Sequence, residues 1–151
     1  MIIEKIVGNI NDPDSKRKDL VDYVSVEWYE VQNSILHKIS RNGMEVGIRN
    51  HERVALRDGD ILWQDDKKVL LVEISECNCI ALRPTTMLEM GKACYEIGNR
   101  HSPIFIEDGE VLTPYDAPLM TALSKCGFLP RLKSAKLTMP LGGHADGHSH
   151  H

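Results

Sequence analysis

The feature that most constrains this chain is a change of hydrophobic period near residue 75. Before it, apolar residues alternate with polar ones or run in short β-branched stretches, and no segment has a helical repeat. After it, two segments with helical spacing sit between extended ones. A run of strands followed by a strand–helix mixture predicts an α+β protein. The 151 residues suffice for two small domains with a thin core each.

In the first half, Ile2 to Val7 is apolar and β-branched, and Asn11-Asp12-Pro13-Asp14-Ser15 is a turn cluster. Across Tyr23 to Val31, Val24, Val26 and Trp28 alternate with Ser25, Glu27 and Tyr29, which predicts a half-buried strand. Ile35 to Ser40 and Met44 to Arg49 flank Asn42-Gly43, a strong hairpin signal. Arg57-Asp58-Gly59-Asp60 turns the chain into Ile61-Leu62-Trp63, and Asp65-Asp66 turns it again before Val69 to Ile74. Residues 1–74 are expected to form a small all-β domain.

Residues 75–139 read differently. Cys77 to Arg83 is a strand closed by Pro84, and Thr86-Met87-Leu88-Glu89 has capping-box spacing. Met87, Met90, Gly91, Cys94, Ile97 and Gly98 fall on one helical face, and Gly98-Asn99 ends the helix. Pro103 to Glu107 and Glu110 to Thr113 are strands around Asp108-Gly109. Asp116 caps a helix over Ala117 to Cys126 that Gly127 ends, and Phe128 to Leu137 is extended. The order β-α-β-β-α-β predicts a ferredoxin-like domain. From Pro140 the chain is Gly-rich, polar and aperiodic, so residues 140–151 are expected to be a flexible tail.

Composition excludes several classes. The net charge is −4 and the basic residues form no stripe, which argues against nucleic acid. Glu4 and Lys5 interrupt the first apolar stretch, and Val69 to Val72 is too short to span a bilayer. A cytoplasmic protein with reduced thiols is expected, and the four cysteines are no disulfide framework. No nucleophile elbow, P-loop, dinucleotide fingerprint or His-Glu-x-x-His occurs, so no enzyme is expected. The Asp58/Asp60 and Asp65-Asp66 carboxylates lie in turn-like sequence and are read as solvated.

Seven histidines are present, and four of them, His144, His148, His150 and His151, fall in the last eight residues. Interspersed with Ala145, Asp146, Gly147 and Ser149, they are no contiguous tag. Neutral imidazoles on a mobile chain can converge on one ion, and imidazole suits nickel, copper and zinc. His101 lies just past a predicted helix end, where it either caps carbonyls or meets a cation that the helix dipole favours by about 0.3–1 kcal/mol. One imidazole holds a metal poorly, whereas a two-fold axis would bring a second His101 to the same ion. From Leu137 to His150 the extended chain spans roughly 45 Å, so the tail has the reach. His37 and His51 read as surface or packing residues. Cys77 and Cys79 face the same way along a strand. Their sulfurs either meet one ion or pack as small apolar groups, and packing is the reading adopted. Cys94 and Cys126 are not spaced as half of a zinc pair.

The segment Met90-Gly91-Lys92-Ala93-Cys94-Tyr95-Glu96-Ile97-Gly98-Asn99-Arg100-His101 closely resembles the signature of the UreE family of urease accessory proteins, nickel metallochaperones. Leu56-Arg57-Asp58-Gly59-Asp60-Ile61-Leu62 resembles the family's N-terminal domain turn, and the histidine-bearing tail fits too. The resemblance implies an N-terminal, peptide-binding-like β domain joined to a ferredoxin-like metal-binding domain. It implies a homodimer through the C-terminal domains, with nickel bridging two copies of His101 and with His144, His148, His150 and His151 as further ligands. Zinc or copper would substitute. The ion would pass to the urease accessory GTPase and on to apo-urease. The short tail, and Tyr115 and Ala117 where some members carry extra histidines, imply few ions per dimer. A nickel or zinc buffer and a peptide-binding scaffold, both without a urease role, are the competing readings. A metal-dependent hydrolase is remote.

Overall fold

The structure, a computed structural model, describes residues 1–142. The chain divides into two compact units, Met1–Ser75 and Glu76–His151.

The first unit is two sheets. Strands β1 (Ile2–Ile3), β5 (Glu45–Arg49) and β4 (Ile35–Ile39) make one, in the order β1-β5-β4. Strands β2 (Gly8–Asn9), β6 (Asp60–Gln64), β7 (Lys68–Ile74) and β3 (Leu20–Val26) make the other, in the order β2-β6-β7-β3. Side chains at alternating positions meet in one core of Ile3, Val24, Val26, Leu36, Val46, Ile48, Leu56, Leu62, Leu70 and Val72. A second cluster, Ile61, Val69 and Leu71, uses the opposite face of β6 and β7. Burial on both faces is why Val69 to Val72 reads as a continuous apolar run rather than an alternation.

The strand predicted over Tyr23 to Val31 stops at Val26, and Trp28–Glu30 is a 3-10 turn. Glu30 decides this. Its Oε1 accepts from the Glu27 amide at 3.0 Å, and its own amide donates to the Glu27 carbonyl at 2.9 Å. The carboxylate also holds Lys38 at 2.7 Å. Alternation carried no trace of this local pair.

The hairpin forms where Asn42-Gly43 places it, but with a three-residue loop. The Ser40 amide donates to the Met44 carbonyl at 2.8 Å, and only Gly43, at φ +93°, is left-handed. A two-residue type I′ turn would need positive φ at Asn42 as well. Asp22 Oδ1, accepting from the Tyr23 and Asn42 amides, ties this turn to β3.

Asp58 and Asp60 are not the solvated pair expected. Asp60 is buried and accepts from the Arg57 amide at 2.8 Å and from Asn9 Nδ2 at 3.0 Å, while Asp58 Oδ1 accepts from the Ile74 amide at 2.8 Å. They staple the turn that enters β6. Gly59 between them has φ +86°, and a Cβ there would sit 2.9 Å from Ile10 Cγ2. Gly59→Ala is therefore expected to cost about 2–3 kcal/mol, from a forbidden contact and a left-handed backbone together. A urea midpoint unchanged from wild type would refute this.

The second unit is one antiparallel sheet with two helices. Its elements are β8 (Glu76–Leu82), α1 (Met87–Asn99), β9 (Phe105–Glu107), β10 (Glu110–Pro114), α2 (Ala117–Lys125) and β11 (Arg131–Lys136). The order β11-β8-β10-β9, with every neighbouring pair antiparallel, is the split-βαβ arrangement of a ferredoxin-like fold. Ile80, Leu82 and Val111 pack against Ala93, Ile97, Leu119 and Leu123 of the helices. Asp116 caps α2, accepting from the Leu119 amide at 2.9 Å. Thr86 caps α1, accepting from the Glu89 amide at 3.0 Å. The predicted capping box is only half formed, because the Glu89 carboxylate bonds Thr85 instead of reaching back to Thr86.

Pro140 to Gly142 fall in the span assigned above to the tail, yet Pro140 bridges to Phe105 and the Leu141 amide donates to the Ile104 carbonyl at 2.6 Å. After leaving β11 at one edge of the sheet, the chain is thus fastened to β9 at the other. Among the described residues no helix is long and apolar enough to cross a membrane.

Candidate metal centre

The apolar arc predicted on α1 is wider than the packing inside the unit uses. Ala93 and Ile97 are fully buried and Met90 packs beside them. Met87, at 92% exposed, and Gly91 and Gly98 turn to solvent, joined by Tyr95 at 66%. A Cβ added at Gly91 or Gly98 would meet no described atom within 4 Å. The arc therefore splits into a core-facing half and an open half, with Cys94 between them. Two glycines seven apart keep the open half low enough for another backbone to approach. Cys94 Sγ donates to Met90 Sδ at 3.9 Å, and burial raises its thiol above the ordinary range.

His101 sits where this helix ends. Arg100 is the last near-helical residue, and His101 follows it at φ +59°. The His101 amide donates to the Gly98 carbonyl at 2.9 Å, and the Ser102 amide to the Ile97 carbonyl at 3.4 Å. These two bonds are those of a Schellman stop, with His101 at the left-handed position that glycine usually fills. A histidine there costs roughly 1 kcal/mol of backbone strain against glycine. The side chain is exposed, at the partially negative end of α1. The backbone bonds make this helix stop, and the imidazole is exposed beside it.

The other candidates are placed as follows. His51, exposed in a turn, has Nε2 3.1 Å from Glu4 Oε2, and His37 is exposed on β4. Cys77 and Cys79 do face the same way on β8, their sulfurs 3.7 Å apart. Burial pushes the Cys79 thiol up to about 12, and the residue is fully buried. Cys126 is exposed at the end of α2. His144, His148, His150 and His151 lie outside the described residues. Among the described residues, no three His, Cys, Asp or Glu side chains converge for a metal ion. Tyr95 was not placed on the apolar arc of α1 from the sequence. Its seven-residue offset from Leu88 and four from Gly91 was the available signal.

The comparisons with known proteins decide the family. The family model for the UreE urease accessory protein, N-terminal domain, matches residues 3–75, and that for its C-terminal domain matches residues 73–151. The chain belongs to the UreE urease accessory protein family. A urease accessory protein UreE of Acetivibrio thermocellus is 57% identical over 150 residues, covering 99% of this chain and 97% of the relative. That of Flavobacterium johnsoniae is 38% identical over 151 residues, covering 99% and 91%. That of Helicobacter pylori is 36% identical over 141 residues, covering 91% and 82%. The family description is that of an accessory protein, as the signature around Gly98-Asn99-Arg100-His101 implied, and the two-domain α+β architecture expected of it is the one observed.

Proposed function

We propose that this protein is the nickel carrier of urease assembly: a cytoplasmic homodimer that binds Ni2+ between two copies of His101 and hands it to the urease accessory GTPase and apo-urease. The observation that carries this is the placing of His101. It stands exposed and strained at the end of a helix whose open half, Met87, Gly91, Tyr95 and Gly98, is apolar. A second copy laid on that half by a two-fold axis passing close to His101 would cover part of it and set the two imidazoles side by side. Imidazole is a borderline donor that suits nickel and also accepts zinc or copper.

The chain end supports the same reading. Leu141 is bonded to Ile104, three residues after His101. His144 is three residues further on, so the two short segments, each at most roughly 10 Å, let a tail imidazole meet His101. His148, His150 and His151 have longer reach. Ligands on a tail can leave one at a time, which suits an ion that must be released as cargo.

Two measurements test this. Native mass together with nickel content should give a dimer holding a shared ion. A monomer at micromolar concentration with nickel present would sink the proposal. Removing residues 143–151 should weaken nickel binding by about 10–100-fold and leave the melting curve unchanged, because the last fastened residues, Pro140 and Leu141, remain. Unchanged affinity and stoichiometry by equilibrium dialysis would remove the tail from the ligand set.

A further inference from the structure

Cys77-Asn78-Cys79 remains outside the carrier mechanism. The two sulfurs stand 3.7 Å apart on the same face of β8, and Cys79 Sγ also donates to the Cys77 carbonyl at 3.4 Å. Cys77 is partly exposed and Cys79 has no exposed surface, so the pair opens to solvent at one end only. Lys133 lies opposite Cys79 across the β8–β11 pair, and Ala135 lies opposite Cys77.

We infer that Cys77 and Cys79 form a site for a soft, low-coordinate monovalent ion, the cuprous ion Cu+, separate from the histidine site. Thiolates select such ions over Ni2+. Two bonds of about 2.3 Å, the usual metal–thiolate length, span a 3.7 Å sulfur separation at an angle of roughly 105–110°. Rotation of the partly exposed Cys77 opens that angle toward linear. Burial chooses the ion. Zn2+ and Ni2+ need four or more donors, and only the partly exposed Cys77 side could admit the missing ones, whereas Cu+ is satisfied by two sulfurs. Binding replaces both S–H protons with two Cu–S bonds and releases two protons to solvent, with no change of oxidation state. The neutral dithiol becomes a complex of charge −1, and Lys133 across the strand pair adds a small favourable field there while its ammonium stays paired with Glu110 at 2.6 Å. In the metal-free protein the protonated pair packs as small apolar residues, so the site costs the fold nothing while empty. Since Cu+ prefers thiolate to imidazole, a sulfur pair that takes it up would keep that ion off His101.

The proposal is independent of the nickel reading, and either can fail alone. The test is an anaerobic titration of the full chain with Cu+ buffered by bicinchoninate, with X-ray absorption at the copper edge and pH-stat counting of released protons. The wild type and Cys126→Ser should each keep one Cu+ per chain with sulfur neighbours, releasing two protons. Cys77→Ser should hold it about 100-fold more weakly or not at all. Nitrogen-only coordination, equal retention by Cys77→Ser, or no retention by the wild type would each overturn the site. Cys79→Ser is the companion variant. Should its buried hydroxyl unfold the protein, the partly exposed Cys77 decides the matter.

Discussion

Replacing His101 with glycine is expected to abolish tight nickel binding while leaving the protein as stable as the wild type. The left-handed backbone at φ +59° is relaxed for glycine and strained for any other residue. Relief of about 1 kcal/mol is set against a similar entropic gain of the unfolded chain, so the net change should stay within about 1 kcal/mol. If two copies of His101 share one ion, as proposed, the variant removes two imidazoles from it, and affinity should fall at least about 100-fold. His101→Ala is the poorer variant, because alanine keeps the strain and loses the side chain, mixing a fold defect of about 1 kcal/mol into the metal result. Equilibrium dialysis and thermal melts on the same preparations separate the two effects. Wild-type nickel affinity in His101→Gly would leave no role for this imidazole.

The second large effect is expected at Glu110, which has nothing to do with metal. Its carboxylate is 4% exposed and meets Lys133 Nζ at 2.6 Å, Arg131 Nη2 at 2.5 Å and Arg83 Nη2 at 3.7 Å. One buried negative charge on β10 thus holds three cations, Arg83 just past the end of neighbouring β8, and Arg131 and Lys133 of β11, one strand further on. Glu110→Gln should cost about 2 kcal/mol at pH 7. That is below the 3–5 kcal/mol of a wholly buried broken pair, because the three cations are 44–59% exposed and water takes up part of the loss. The hydrogen bond from Lys133, with help from Arg131 and Arg83, holds the Glu110 carboxyl below its ordinary 4.5. A carboxyl lowered in the folded state stabilises fully above the unfolded value. That stability is lost as pH falls from about 4.5 through the folded value. Urea midpoints between pH 7 and pH 3 should show this acid-sensitive component in the wild type and its loss in Glu110→Gln. Equal stability of the two proteins at pH 7 would show that the cluster contributes nothing.

Local chemistry made much of the fold legible. The hairpin at Asn42-Gly43, the Thr86 and Asp116 caps, the Asp108-Gly109 turn and the β-α-β-β-α-β order each depend on residues within a few positions of one another. The strand that ended early at Val26 also obeyed a local rule, but one between two glutamates that alternation cannot register. Asp58 and Asp60 could not be placed, because their partners, Ile74 and Asn9, lie 16 and 51 residues away. Glu110 went unnoticed for the same reason, since Arg131 and Lys133 are 21 and 23 residues off.

By itself the sequence determined that there are two small units of different character, and, through the twelve residues ending in His101, the family to which the chain belongs. Only the tertiary structure decided which half of the α1 arc is buried, that His101 occupies a glycine's position, and that Pro140 and Leu141 are fastened beside β9. The physical reason is that period and propensity act over a few residues. Burial, a strained φ and an edge pairing are settled by what else arrives at the same place, and that is a property of the folded chain as a whole.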